Sequence, residues 1–326
     1  MKKTLIALAV LGSIAGVAQA QSAVTVYGVV DVGLAHENNG TTSVNRMDSG
    51  NLNGNRIGFK GTEDLGGGLS AIFQFENGFN ADTGAQADAT RLFNRQAFVG
   101  LTSGFGTVKL GRQQNPVYAN SGTFDPFGDA LAGDTSRLFS YNGSRTDNLI
   151  TYAYAANGIR GELQYGFGEV AGNSSASRVL AGFVGYKNGP IDAVLTHQNI
   201  KNPTDTGSTK MTLLGGNYDF GVVKPFVSYA WEKGDGLRDQ RDALVGLTAP
   251  VGAAGTFMIS YIRKTDKAVD NANARQIAVG YTHNLSKRTA LYTSYGELRN
   301  DDNANYKVTA AGQTDKLFNV GIRHFF

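Results

Sequence analysis

Apolar and polar residues alternate along most of this chain with a period of two. In VTVYGVVDVGL, Val24, Val26, Gly28, Val30, Val32 and Leu34 share one face, while Thr25, Tyr27, Val29, Asp31 and Gly33 share the other. In LSAIFQFENGF, Leu69, Ala71, Phe73 and Phe75 oppose Ser70, Gln74 and Glu76. Successive residues of a strand point to opposite sides, so each stretch predicts a strand with one apolar face. Comparable runs recur near 54–63, 91–102, 106–113, 147–155, 160–168, 177–187, 190–199, 209–219, 222–232, 240–249, 255–264, 274–284, 288–298 and 315–326. Together they predict 16 strands.

About 10 residues at roughly 3.3 Å each, tilted near 45°, rise about 25 Å, the height of an outer-membrane apolar band. The connections sharpen the picture. EDLGG, TSGFG, AANG, KNGP, DFGV, APVGAAG and NLSKR read as short turns. The segments 37–53, 80–90, 113–146, 169–176, 200–208, 233–239, 265–273 and 299–314 read as longer polar loops, and the two kinds alternate strictly. All long loops therefore fall on one rim. The prediction is an all-β fold: a 16-stranded antiparallel transmembrane β-barrel with short periplasmic turns and long external loops. A secreted sandwich or solenoid would also alternate, but has less reason to sort its connections by length.

Composition agrees. Glycine numbers 43 and proline only 6, with 18 phenylalanines, 14 tyrosines and the single Trp231. Such a chain suits many strands with few breaks. It has no cysteine, so packing and backbone pairing must supply the stability. A formal charge of +3 is too small to suggest a nucleic-acid partner. MKKTLIALAVLGSIAGVAQA has a Lys2–Lys3 charged start, a short apolar run and an Ala18-Gln19-Ala20 cleavage pattern. Residues 1–20 therefore read as a signal peptide that leaves a barrel domain at 21–326 and exports it through the periplasm. No later stretch reaches the roughly 18 apolar residues of a membrane helix.

In the last predicted strand Phe318, Val320, Ile322 and Phe326 share a face, which places Phe326 outward in a periplasmic aromatic girdle. This ending, GIRHFF, together with VTVYGVVDVGL, RIGFKGTEDLGGGLSAIFQFE, RQAFVGL, FGTVKLGRQ and SRTDNLITYAY, resembles the general porins of Gram-negative bacteria, most closely those of β-proteobacteria. The resemblance covers the whole chain after the leader. It implies an integral outer-membrane homotrimer, set in lipid and lipopolysaccharide, for passive diffusion of small hydrophilic solutes and ions. It also implies an inward-folded third loop and recognition of Phe326 by the barrel-assembly machinery.

The third long connection, 113–146, is then the expected constriction loop. It carries aromatic anchors Tyr118, Phe124, Phe127 and Phe139 and the acids Asp125, Asp129 and Asp134, and its FDPFGD stretch resembles the family's acidic loop tip. Residue match places Arg56, Arg95 and Arg145 on the opposite wall as constriction bases, with Glu76 as a wall acid. Alternation puts Arg56 and Lys60 on the lumen face with Gly58. For Arg95 alternation gives the opposite answer, grouping it with Ala97 and Val99, and only the resemblance turns it inward. Arg112, at the loop entrance, is a further basic candidate. Arginines facing carboxylates would set a transverse field that favours water and polar solutes over apolar ones. The wall bases outnumber Glu76 but the loop adds three acids; the resemblance leans towards a weak anion preference.

Two other readings are a substrate-selective channel, which needs an aromatic slide, and a non-conducting barrel acting as adhesin or enzyme. The four histidines His36, His197, His283 and His324 have no partner spacing for catalysis, and no metal-ligand or cofactor motif stands out. The expectation is a protein without enzymatic activity, metal or cofactor.

Overall fold

The computed structural model describes residues 23–235 and 238–326. The leader expected at 1–20 lies outside the described residues. The strands form one sheet in which chain neighbours pair antiparallel. The sheet closes where β1 (Ala23–Asn38) pairs with β17 (Thr314–Phe325), from Val29 opposite Phe325 to Asn38 opposite Lys316. On its other edge β1 meets two segments. β2 (Ser43–Ser49) covers Val32–Asn38, and β3 (Arg56–Gly66) covers Ala23–Val29. These two are the upper and lower parts of a single barrel strand, so the segments make a closed barrel of 16 strands.

The wall continues through β4 (Leu69–Gly78), β5 (Gln96–Ser103), β6 (Gly106–Gln114), β7 (Arg145–Ala156), β8 (Ile159–Gly166), β9 (Val179–Asn188) and β10 (Ile191–Lys201). It is completed by β11 (Ser208–Tyr218), β12 (Lys224–Gly234), β13 (Arg238–Val251), β14 (Gly255–Asp266), β15 (Ala274–Asn284) and β16 (Thr289–Asn300). Alternation decides which side each residue takes. On β10, Ile191 and Leu195 are exposed outward while Asp192, Thr196 and Gln198 are buried inward. An apolar exterior over a polar interior is the pattern lipid imposes on a barrel, because only a closed ladder satisfies every backbone group there.

Phe326 takes the outward position expected of it. Its backbone exchanges two 3.1 Å hydrogen bonds with Gly28, one in each direction, and its side chain stays half exposed.

The connection after β6 folds into the barrel. Asn115 caps α1 (Pro116–Thr123) by accepting from the Val117 amide at 2.8 Å, and Pro116 starts the helix where a missing N–H costs nothing. Beyond α1 the loop buries Phe124, Phe127, Leu131, Leu138 and Phe139 against the inner wall of β11–β17. This is where the molecule's core sits. The fit depends on wall glycines. A Cβ built on Gly215 or Gly280 would lie 2.7 Å from the ring of Phe124 or Phe127, and one on Gly246 would lie 2.6 Å from Pro126. Polar ties finish the seat. The Ser140 amide donates to Glu232 at 2.8 Å, and Lys264, fully buried, lies 3.0 Å from Asp242 and 3.4 Å from Glu232. With one half of the wall covered, the open path runs along the other half, β3–β9.

Two sequence expectations are corrected. The segment 37–53 is not one long loop. β1 runs on to Asn38, a tight turn follows in which Asn39 accepts from the amides of Thr41 and Thr42 and Gly40 takes φ +86°, and β2 returns. Polar residues dominate this hairpin because it stands above the lipid, so polarity hid two paired strands. The strand expected at 91–102, which is β5, begins at Gln96 and not near residue 91.

Candidate functional site

Where β2 ends and β3 begins, the backbone leaves the wall. Asp31, fully buried on β1, holds the departure. Its carboxylate accepts from the amides of Leu52 at 2.9 Å and Asn53 at 2.7 Å and from the Tyr292 hydroxyl at 2.6 Å. The displaced chain then meets the inward loop, where the Leu131 amide donates to the Asn51 carbonyl at 2.8 Å. The GNLNGN run at 50–55 carries this detour, and its glycine and asparagine content was the signal for it.

Beside this detour lies a cavity of about 480 Å³. Arg56, Arg95 and Arg145 line it from the wall, and Tyr118, Asp129 and Asp134 line it from the loop. Arg56 opens β3 and Arg145 opens β7, so both guanidiniums enter at the same level as the loop. Arg95 does turn inward. Alternation fails for it because Asn94 resets the phase: the Asn94 side chain accepts from the Gly78 amide at 2.8 Å, and the regular ladder starts only at Gln96. The Arg95 side chain then lies across Gly78 and Gly54, with its Nε 3.4 Å from Glu76. Glu76 also accepts from the Tyr27 hydroxyl at 2.7 Å.

The loop acids divide. Asp129 lines the cavity and accepts from Ser121 at 2.9 Å, from Tyr141 at 3.2 Å and from Thr135. Burial, and then the neighbouring charge of Asp134, push its carboxyl up to about 7 despite those hydrogen bonds. Asp134 lines the cavity too and accepts from the Ser136 amide at 2.6 Å. Among the described residues no ion pair within 4.0 Å joins Arg56 or Arg145 to either acid. The opposed charges face each other across open space.

Three expected site residues stand elsewhere. Asp125 is buried behind the loop, where its carboxylate accepts from the amides of Phe127 at 3.0 Å and Asp129 at 3.1 Å. Burial drives its carboxyl well above the usual carboxylate range. It shapes the loop tip and does not face the cavity. Arg112 is committed to Asp147, which also binds Arg91 at 3.2 Å, and its Nε donates to the Asn94 carbonyl at 2.9 Å. Lys60 does face inward, but four residues along β3 from Arg56, roughly 13 Å at the usual strand rise, with its ammonium 5.2 Å from the Tyr27 ring. It belongs to the wall nearer the short-turn rim. Gly50, Leu52, Asn53 and Gly54, which line the cavity from the detour, were missed as pore residues.

A closed barrel with a polar interior suits the passage of small hydrophilic solutes. The comparisons with known proteins agree. A model of the Gram-negative porin family matches residues 7–303. Outer membrane porin protein 32 of Delftia acidovorans is 35% identical, and an outer membrane porin protein of Bordetella pertussis is 33% identical; each alignment covers 100% of both chains. The solved structure of an anion-selective porin from Comamonas acidovorans superposes with a TM-score of 0.83 at 32% identity, covering 94% of this chain and 100% of that one. The outer membrane protein OmpT of Vibrio cholerae in its trimer form, at 16% identity and a TM-score of 0.69, shares the fold. The chain therefore belongs to the Gram-negative porin family, a β-barrel of the outer membrane around a passive diffusion channel.

Proposed function

We propose that this porin works as a weakly anion-selective homotrimer whose filter is Arg56, Arg95 and Arg145 set against Asp129 and Asp134. One observation carries the reading: three guanidiniums and two carboxylates line a single cavity, and Arg56 and Arg145 are unpaired across it. Glu76 offsets Arg95, which leaves two wall cations against two acids, one of them raised to about 7. At neutral pH Asp129 is only partly ionised, so the filter is net positive. Guanidinium keeps its charge whatever its neighbours do, so the positive side persists across pH. The transverse field orders water in the gap; polar solutes exchange for that water and apolar ones do not. The anion-selective character of the 32% identical neighbour supports the sign. The trimer form of a structural neighbour supports the assembly, and lipopolysaccharide and the barrel-assembly machinery, reading Phe326, complete the proposed partners.

Conductance across a planar bilayer under a KCl gradient tests this. Stepwise closure in thirds and a reversal potential of anion-selective sign are expected. A single-step channel overturns the trimer, and a cation-selective potential overturns the assignment of the filter charge.

A further inference from the structure

Beneath α1, on the short-turn side of the filter, lies a second cavity of about 330 Å³. Its floor is the inner face of β4–β6, β8 and β9 and its roof is α1, and it adjoins the filter cavity through Gln114, Ala119 and Thr123, which line both. Its lining differs from the filter's. Two cations stand over two aromatic faces: Lys109 Nζ lies 5.4 Å from the Phe98 ring centre and the Arg160 guanidinium 6.0 Å from that of Phe183. Both cations have acidic neighbours, but each keeps donors to spare. Lys109 is 3.7 Å from Glu162, beyond hydrogen-bond reach, and Arg160 uses one terminal nitrogen on Asp192 at 2.5 Å. Three buried polar atoms of the lining have no protein partner: the Arg160 Nε donor and the side-chain carbonyls of Gln96 and Gln113.

These groups specify a ligand. Buried donors and acceptors without a partner are costly, and a molecule that pairs them gains that cost back. The cationic donors ask for a carboxylate. The phenylalanine faces ask for a flat apolar body. The glutamine carbonyls ask for a hydrogen donor at its far end. We infer that this cavity is a solute subsite for small aromatic carboxylates that carry a hydroxyl or amino group, bound on their way through the pore. The inference rests on the reading of the lumen as a diffusion path. It adds a station with chemical preference to a filter that sorts only by charge and size.

Four probes separate the contributions. 4-Hydroxybenzoate has all three features; benzoate lacks the donor, acetate the ring and phenol the charge. Calorimetry on the refolded, detergent-solubilised barrel reads binding whether or not the barrel conducts, and bilayer recording in KCl reads conduction. Binding of 4-hydroxybenzoate is expected, several-fold weaker binding of benzoate, and no heat from acetate or phenol. The same compound should interrupt single-channel current in a concentration-dependent way. F183L and R160Q should each weaken binding about tenfold. Their unaltered heat-dependent electrophoretic mobility would confirm folding, and F183L leaves the Asp192 pair intact. Current without binding, equal heats from all four probes, or undiminished binding in folded F183L overturns the subsite. Binding without current overturns the open-pore reading and leaves the subsite standing.

Discussion

The ring of Phe326 lies directly on Gly28: a Cβ added to Gly28 would sit 2.1 Å from the phenylalanine Cζ. The contact crosses the seam where the barrel closes, and the backbones of the same two residues are joined by reciprocal hydrogen bonds. Only a residue without a side chain lets the ring rest there. G28V should displace the ring and cost about 1–3 kcal/mol, the usual penalty of overpacking. The temperature at which the protein loses its compact electrophoretic mobility should fall in G28V.

The charge of the filter should depend on pH through Asp129. Below about 7 its carboxyl is neutral and the arginines face Asp134 alone; above it a second negative charge appears. Anion preference should therefore weaken as pH rises through about 7. Reversal potentials recorded at about pH 5.5 and about pH 8.5 read this directly. D129N should show the low-pH value at both.

Asp125 offers the contrast. It is as acidic in sequence as Asp129 but buried and turned away from the cavity. D125N should leave the reversal potential unchanged while lowering thermal stability, since an amide cannot accept from both Phe127 and Asp129 as a carboxyl does.

Among the wall bases, Arg95 should have no larger effect than Arg56. R95Q removes a cation and leaves Glu76 without its 3.4 Å partner, R56Q removes a cation with no such partner, and either way the wall loses one positive charge. The reversal potential should move towards cations by a similar amount in both. An unchanged potential in either variant would show that its guanidinium does not contribute to the field.

Lys264 tests the seat of the inward loop. K264M leaves Asp242 and Glu232 buried without their cation, a change that costs about 3–5 kcal/mol. Thermal stability should drop and single-channel current should become noisier as the loop loosens. Replacing all three charged residues with apolar ones of similar volume should recover most of the stability.

The sequence spelled out the wall better than the filter, for a physical reason. Lipid imposes period two on every strand it touches, so residues such as Ile191, Leu195, Arg56 and Lys60 declare their side by parity. The filter is built where that constraint lapses. Arg95 follows an asparagine side chain that stands in for a ladder partner, and its direction cannot be counted from its neighbours. Asp125 and Asp129 are four residues apart in an irregular loop, and their opposite fates depend on what each meets: backbone amides for Asp125, side-chain hydroxyls for Asp129. The 50–55 detour had a legible cue in GNLNGN, but its inward direction comes from Asp31 and Tyr292, far away in sequence.

The loop that narrows the pore is fastened to the strands that flank the closing seam. Ala132 donates to Ser294 of β16 at 3.0 Å, Ser294 donates to Asn319 of β17 at 2.7 Å, and Asp31 of β1 receives Tyr292 of β16. These anchors are complete only once the last strand has zipped to the first. A nascent barrel thus lacks these anchors of its gauge until it is shut, and closure completes them. Copies whose seam stays open would hold the loop less firmly, which gives a protease in the periplasm a looser segment around Asn115–Arg145 to cut. Proteolytic clearance and permeability control would then read the same seam.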